Sequence, residues 1–273
     1  MTGNCLENQI VSFIGEINKG PLRVLNDGNS AGDPNGFFAR YSENDSEHEI
    51  QGIFICAVNQ AWLDTCRTVP DAKKKKECLN SARKMIASQL QGFFQSTRKS
   101  EEAFDKWFME LCKAIPENAE LTVGHKQKII NMAFKYLYCV NSFRRRYEAY
   151  FTHCHMPLDG YTLSWYHALD SSHKTGEKYD KTAWSKINSL DAYFKIVRDV
   201  REYVKKNSKG PQTVLQTEFL VWQIEKKRND LKEKMKKVCS LINDQEMPES
   251  LRTELKYYLS QLKDQLASLH HPL

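Results

Sequence analysis

Apolar residues recur at helical spacing through most of this chain, and this periodicity constrains the fold more than any other feature. The segment SARKMIASQLQGFFQS places apolar side chains on one helical face, namely Met85, Ile86, Leu90, Phe93 and Phe94. The same spacing predicts further helices at 101–115, 127–140, 161–169, 184–206 and 214–242. The chain has no alternating rhythm of strands and helices. The sequence therefore predicts an all-α fold.

The two ends of the chain differ from this central body. Residues 25–36 collect Gly, Asn, Asp and Pro, which is typical of a loop. The segment 49–65 mixes β-branched and small residues and is interpreted as a buried helix, with a strand as the alternative for its first half. After Pro248 a narrow leucine seam predicts the second arm of a helical hairpin, packed on the body or used in association. The predicted domains are 1–225, a helical body, and 226–273, a C-terminal helical extension.

Composition excludes several classes of protein. No apolar run approaches the roughly 20 residues of a membrane helix, and the N-terminus lacks a basic start followed by an apolar stretch. We therefore expect a cytoplasmic protein that does not enter the membrane. None of the eight cysteines forms a C-x-x-C pair, so neither a zinc ribbon nor a thioredoxin-type site is indicated. We predict no cofactor and no metal, and the sequence leaves the oligomeric state open.

Positive charge is concentrated in one part of the chain. Net charge is +6 overall, yet residues 122–150 carry six Lys and Arg side chains against Glu148 alone, a local charge of +5. A local excess of this size suits a polyanion better than a small neutral metabolite. A solvated basic face is the alternative interpretation.

Chemically useful residues follow in the same stretch. A helix that begins near Gly124 presents free backbone N–H groups and a positive dipole end to a phosphate, and Lys126 strengthens this bias. Lys128, Asn131 and Lys135 share one helical face. A partly buried lysine beside other cations has a lowered pKa and becomes a nucleophile. Asp159 is a candidate for the assisting carboxylate, with an N-cap of the next helix as its alternative role.

This arrangement resembles the helix-hairpin-helix DNA glycosylases, and it is most similar to the divergent archaeal 8-oxoguanine type. The shared pattern is a Gly-containing turn, Gln-Lys opening a helix, a second Lys seven residues later and a loop ending Pro-x-Asp. The resemblance implies that Lys128, with Lys126 as the register alternative, attacks the sugar C1′ and that Asp159 assists. It also implies that double-stranded DNA is the partner and that phosphates are held by basic and turn residues, namely Gly124, His125, Lys126, Lys135, Arg144, Arg145 and Arg146.

The resemblance extends to a pocket for the flipped base. Glu218 and Trp222 have the spacing of the acidic residue and Trp in a late helix of the archaeal type, and Trp62 is a further aromatic candidate. The usual Leu-Pro-Gly-x-Gly hairpin signature is absent, and so is the cysteine set of an iron–sulfur cluster. A monofunctional enzyme that uses Asp159 and water therefore stays open beside the lysine mechanism. The substrate expected is an oxidised purine or a modified phage base, in repair or in defence.

Three other functions remain as alternatives. A non-catalytic nucleic-acid binder would use the same basic stretch and would depend on Arg144, Arg145 and Arg146. A metal-dependent nuclease would need His153 and His155, but no third ligand stands at a standard spacing. A helical scaffold built on the C-terminal hairpin would not require Lys128 at all.

Overall fold

The computed structural model describes residue 6 and residues 8–13, 47–73, 75–97, 100–172, 183–207 and 213–269. The loop predicted at 25–36 lies outside these residues. Among the described residues there is no strand, and the all-α prediction is confirmed. No helix in this described part of the chain combines the length and the apolar character needed to cross a bilayer. The strand alternative for 49–65 is wrong, because this segment is one continuous helix.

Within the ranges that the structure describes, ten helices follow residues 8–13, which are themselves helical. They are α1 (Glu47–Thr65), α2 (Lys76–Phe94), α3 (Glu101–Ala114), α4 (Val123–Cys139), α5 (Asn141–Arg146), α6 (Glu148–Phe151), α7 (Gly160–Ser172), α8 (Leu190–Lys206), α9 (Val214–Ile242) and α10 (Glu249–Ser268). Short 3₁₀ turns lie at Cys66–Thr68, Glu117–Ala119 and Trp184–Lys186. The helix predicted from Trp184 therefore begins six residues later, because the Ser189 hydroxyl caps α8 by accepting the Ala192 N–H.

The chain divides into two compact units, 1–219 and 220–273. In the first unit α4 is the central helix, and nearly all of its residues are buried. Its Phe134 ring lies 5.7 Å from Phe93, 5.5 Å from Phe94, 5.4 Å from Phe104 and 5.7 Å from Trp107. Each such ring contributes roughly 1.5–3 kcal/mol on burial, so this aromatic cluster fixes α2 and α3 against α4.

The second unit is the helical hairpin that the leucine seam predicts. Its core consists of Leu231, Val238 and Leu262, with further apolar side chains of both arms packed around them. Arg228 donates to the Leu269 carbonyl at 2.5 Å, which holds the beginning of one arm against the end of the other. The turn between the arms is fastened by Arg252, whose guanidinium donates to the carbonyls of Asp244 and Met247.

Candidate functional site

The central helix α4 carries polar side chains into the interior of the first unit. Gln127, Lys128, Asn131 and Lys135 are all buried, between 0 and 6% exposed. Burying a polar group without a partner costs about 1–3 kcal/mol, so these side chains need partners from elsewhere in the chain. The partners they find define the candidate site.

Two of these side chains hold the segment that leads to Asp159. The Gln127 amide donates to the Leu158 carbonyl at 2.8 Å and accepts the Leu158 N–H at 3.0 Å. Asn131 donates to the Met156 carbonyl at 3.2 Å and to the Tyr193 hydroxyl at 2.9 Å. The segment 156–158 is therefore fixed to α4 by side-chain amides.

The Asp159 carboxylate caps α7 and also lies close enough to act on Lys128. Its Oδ1 accepts the backbone N–H groups of Tyr161 at 2.8 Å and Thr162 at 3.0 Å. The N-cap role considered from the sequence is therefore confirmed, and Asp159 is also the leading charge that opposes the lowering of the Lys128 pKa. The structure brings the predicted lysine and aspartate together.

Lys128 lies in an electrostatically unusual place. It is 6% exposed, and its ammonium lies 4.3 Å from the centre of the Trp184 ring. Burial lowers the pKa of Lys128, while the carboxylates of Asp159 and Asp64 act in the opposite direction. Within the described part of the chain, the ammonium forms no hydrogen bond. Lys128 is therefore more easily deprotonated than an ordinary lysine.

Asp64, near the end of α1, is the member of this site that the sequence analysis missed. Its carboxylate accepts a hydrogen bond from the Tyr136 hydroxyl, and burial raises the pKa of Asp64. The signal available in the sequence was a single acidic residue in the otherwise apolar and neutral stretch IQGIFICAVNQAWLD. Only the packing of α1 against α4 reveals that this carboxylate acts on Lys128.

The N–H groups of Gly124, His125 and Lys126 at the start of α4 are bonded within the protein, so the expectation that they are free for a phosphate is wrong. The Gly124 N–H donates to the Ile187 carbonyl at 2.8 Å, and the His125 N–H donates to the Thr122 hydroxyl at 3.1 Å. His125 is itself buried, with its Nε2 paired to the Thr68 carbonyl at 3.2 Å. The segment 184–187 therefore covers the start of α4, which the sequence analysis predicts to bind DNA phosphates.

Gly124 is required by this closure. A Cβ atom placed there would lie 1.8 Å from the Trp184 carbonyl oxygen. The glycine thus allows the 184–187 segment to cross directly over the start of α4 and to bring the Trp184 ring over Lys128.

Two other lysines predicted to contact DNA or to act as nucleophile, Lys126 and Lys135, are bonded to other groups of the protein. Lys126 donates to the Cys112 carbonyl at 2.8 Å and thereby caps the end of α3. Lys135 forms an ion pair of 2.6 Å with Glu218, and both side chains are 1% exposed. Burial raises the pKa of Glu218 to about 7, with Lys135 opposing this effect. A buried pair of this kind neither contacts a DNA backbone nor lines an open base pocket.

The other predicted DNA-binding and base-pocket residues lie on different helices. Arg145 and Arg146 are exposed, whereas Arg144 donates to Asn141 at 3.1 Å and lies over the Tyr138 ring. Trp62 is half-buried on the α1 surface. Trp222 belongs to the second unit, whereas Glu218 belongs to the first.

His155, which the metal-dependent nuclease alternative would need as a ligand, belongs instead to a buried hydrogen-bond network. His155 is fully buried and pairs with Asp105 and the Tyr193 hydroxyl, both at 2.8 Å. Arg201 donates twice to the Asp105 carboxylate at 2.7 Å. Burial lowers the pKa of His155 to about 4, so it is neutral at physiological pH. Among the described residues no group of three His, Cys, Asp or Glu side chains is placed to hold a metal.

Comparison of the chain with family models, with curated proteins and with solved structures finds no match in any of the three.

Proposed function

We propose that this protein is a DNA glycosylase that excises a modified or damaged base, with Lys128 as its nucleophile. The observation that carries the proposal is the surroundings of this lysine: a buried amine with a lowered pKa, an aromatic ring at 4.3 Å and two carboxylates acting on it. A catalytic amine must be neutral to attack, and burial is an established way to make a lysine neutral near physiological pH.

The reaction follows from these groups. The neutral Nζ of Lys128 forms a bond to C1′ of the flipped nucleotide while the N-glycosidic bond breaks, and the base leaves with the bonding electrons. The carboxylate of Asp159 stabilises the positive charge that develops on the sugar. The base takes up a proton from the carboxyl group of Asp64 as it leaves, and the new ammonium returns a proton to that carboxylate. Opening of the sugar ring then yields an imine between Lys128 and C1′.

Asp64 fits the proton transfers in this scheme. Its pKa is raised by burial, so its carboxyl group exchanges a proton closer to neutral pH than an ordinary aspartate does. The Tyr136 hydroxyl orients it by a direct hydrogen bond. Asp159, by contrast, accepts two backbone N–H groups, which fix the position of its carboxylate. The two carboxyl groups thus suit different roles, proton exchange for Asp64 and charge stabilisation for Asp159.

DNA would be held by exposed basic residues of this chain. Arg145 and Arg146 are the exposed members of the basic stretch, and arginine binds phosphate oxygens in a bidentate geometry. A base must leave the stack before its glycosidic bond is reached, so DNA contacts of this kind have to accompany any chemistry at the buried Lys128.

The test is incubation of the full chain with duplex and single-stranded DNA that carries 8-oxoguanine, uracil or glucosylated hydroxymethylcytosine, in the presence of borohydride. We expect a covalent adduct from one of these substrates, since borohydride reduces the imine to a stable amine. The adduct should be lost in Lys128→Gln and kept in Lys126→Gln, which is the matched control two residues away. Asp159→Asn and Asp64→Asn should each slow adduct formation by about 10²-fold or more.

Two outcomes would change the proposal. Base release without an adduct, lost in Asp159→Asn but kept in Lys128→Gln, would indicate a monofunctional glycosylase that uses water. Salt-sensitive binding of unmodified duplex with no base release from any substrate would indicate the non-catalytic DNA-binding protein. Measurement of adduct formation against pH adds a further check, because the rate should reach its plateau below the ordinary lysine pKa.

A further inference from the structure

A cavity of about 250 Å³ lies between α1 and α2. Five residues line it: Ile55, Asn59, Asn80, Arg83 and Lys84. The first two belong to α1 and the other three to α2. This volume is large enough for a phosphate group with part of the molecule that carries it.

The polar groups of this cavity are almost all hydrogen-bond donors. The Arg83 guanidinium donates to the Asn59 Oδ1 at 3.1 Å and to the Asn80 Oδ1. Both amide oxygens are therefore already used, and each amide retains its NH₂ group. Lys84 adds an exposed ammonium that forms no ion pair with any described residue, and none of the five lining residues is acidic. A cavity of this kind attracts an acceptor-rich anion.

Arg83 itself is held in place on its other side. Its guanidinium lies 5.7 Å from the centre of the Trp62 ring, a cation–π distance. The Nε of Arg83 is buried and has no hydrogen-bond partner among the described residues. An unpaired buried N–H of a charged group is costly, and an anion bound nearby reduces that cost by electrostatic attraction. The fixed guanidinium thus gives a preorganised positive centre.

The cavity is separate from the lysine site. Asn59 and Asp64 are five residues apart on α1, which corresponds to about 140° of rotation around the helix. Asp64 is directed to Tyr136 of α4, whereas Asn59 is directed to Arg83 of α2. The two sites therefore use opposite sides of the same helix.

We propose that the cavity between α1 and α2 binds a phosphate group, with Arg83 and Lys84 supplying its positive charge and the amides of Asn59 and Asn80 supplying hydrogen bonds. Arginine and lysine together with neutral N–H donors are the usual means by which proteins bind phosphate. The phosphate belongs either to a nucleic-acid backbone or to a small phosphate ester. This site does not depend on the chemistry of Lys128.

The proposal is tested by titrating the full chain with inorganic phosphate at constant ionic strength, with sodium chloride as the matched control. The readout is the NMR resonance of the Arg83 Nε–H group, assigned by its loss in Arg83→Lys. We expect a saturable shift with phosphate and none with chloride. Lys84→Gln should weaken phosphate binding about tenfold, because one charge-assisted hydrogen bond is lost without any change in the buried groups.

Control variants and a competition arm complete the experiment. Lys106→Gln removes an exposed lysine of α3 that does not line the cavity, and it should leave phosphate binding unchanged. Competition by unmodified duplex DNA assigns the phosphate to a nucleic-acid backbone, whereas phosphate binding that duplex does not reverse assigns it to a small ester. Absence of a saturable shift, or equal binding by Lys84→Gln and the unchanged chain, overturns the proposal. These results are independent of the adduct assay at Lys128.

Discussion

The buried ion pair between Lys135 and Glu218 gives the sharpest prediction on stability. Both side chains are 1% exposed, and the ammonium also lies 3.6 Å from the centre of the Phe13 ring. Removing one partner leaves the other as an uncompensated charge in an apolar interior, which typically costs 3–5 kcal/mol. We therefore expect Lys135→Met and Glu218→Met each to lower the free energy of unfolding by about 3–5 kcal/mol.

Replacing both residues together should have a very different effect. The double variant removes both buried charges and both desolvation penalties, and similar replacements elsewhere are neutral or stabilising. We expect its free energy of unfolding to lie within about 1 kcal/mol of the unchanged chain. The coupling energy of the double-mutant cycle is then about 5 kcal/mol or more, far above the few tenths seen for independent sites.

The pH dependence follows from the same pair. Burial raises the pKa of Glu218 from 4.5 to about 7, so the folded state holds this proton more tightly than the unfolded state does. Because the folded state binds this proton more tightly, the free energy of unfolding should fall as pH rises from about 4.5 to about 7. The decrease should be on the order of 3 kcal/mol. Glu218→Met should abolish this part of the pH dependence.

The assay is urea unfolding followed by circular dichroism at several pH values, with the m value checked for each variant. Lys206→Met is the control, because Lys206 pairs with Glu202 at 3.7 Å on the exposed surface. We expect this control to change stability by less than about 1 kcal/mol. Additive effects of the two single substitutions, or single effects no larger than the control, would refute the interpretation of Lys135 and Glu218 as a buried, mutually dependent pair.

Three further outcomes are expected in thermal or urea unfolding. Gly124→Ala should destabilise the protein by about 1–3 kcal/mol, since its Cβ would meet the Trp184 carbonyl at 1.8 Å; a neutral effect would show that the 184–187 segment moves away easily. Thr122→Val should cost about 1 kcal/mol through loss of the α4 cap, and an unchanged midpoint would contradict the capping role. Burial lowers the pKa of His155 from 6.5 to about 4, so stability should fall as pH drops through this range, and His155→Gln should remove that component; a variant with the same acid dependence would contradict it.

The helices were predictable from the sequence because their apolar periodicity is long and regular. The pattern at 101–115 corresponds to α3, and the pattern at 127–140 falls within α4 except for its last residue. The sequence pattern predicts a start of α8 at Trp184, which is too early, because the 3₁₀ turn there continues the apolar pattern of the helix that follows. Local spacing thus identifies helices well, whereas their exact ends depend on capping by single side chains.

The sequence did not allow us to predict in the same way which charged side chains face solvent and which face the interior. The local charge of +5 suggested a basic surface, yet Lys128 and Lys135 are buried and Lys126 is bonded to main-chain carbonyls. Their partners are distant in sequence: Glu218 is 83 residues from Lys135. Spacing along one helix shows which residues share a face, but only tertiary packing decides whether that face meets solvent or a carboxylate.

The pairing of Gln127 with Leu158 has a consequence for how this protein tolerates change. The amide of Gln127 bonds to both the N–H and the carbonyl of Leu158. It thereby makes the two hydrogen bonds that a peptide group of a neighbouring strand would make, and it holds that segment in place. The distance between Lys128 and Asp159 is thereby set from α4 itself and not by the length of the connection between them. A change in the path of the connection between Lys128 and Asp159 should therefore leave Leu158, and with it Asp159, against α4 as long as the Gln127 amide is kept.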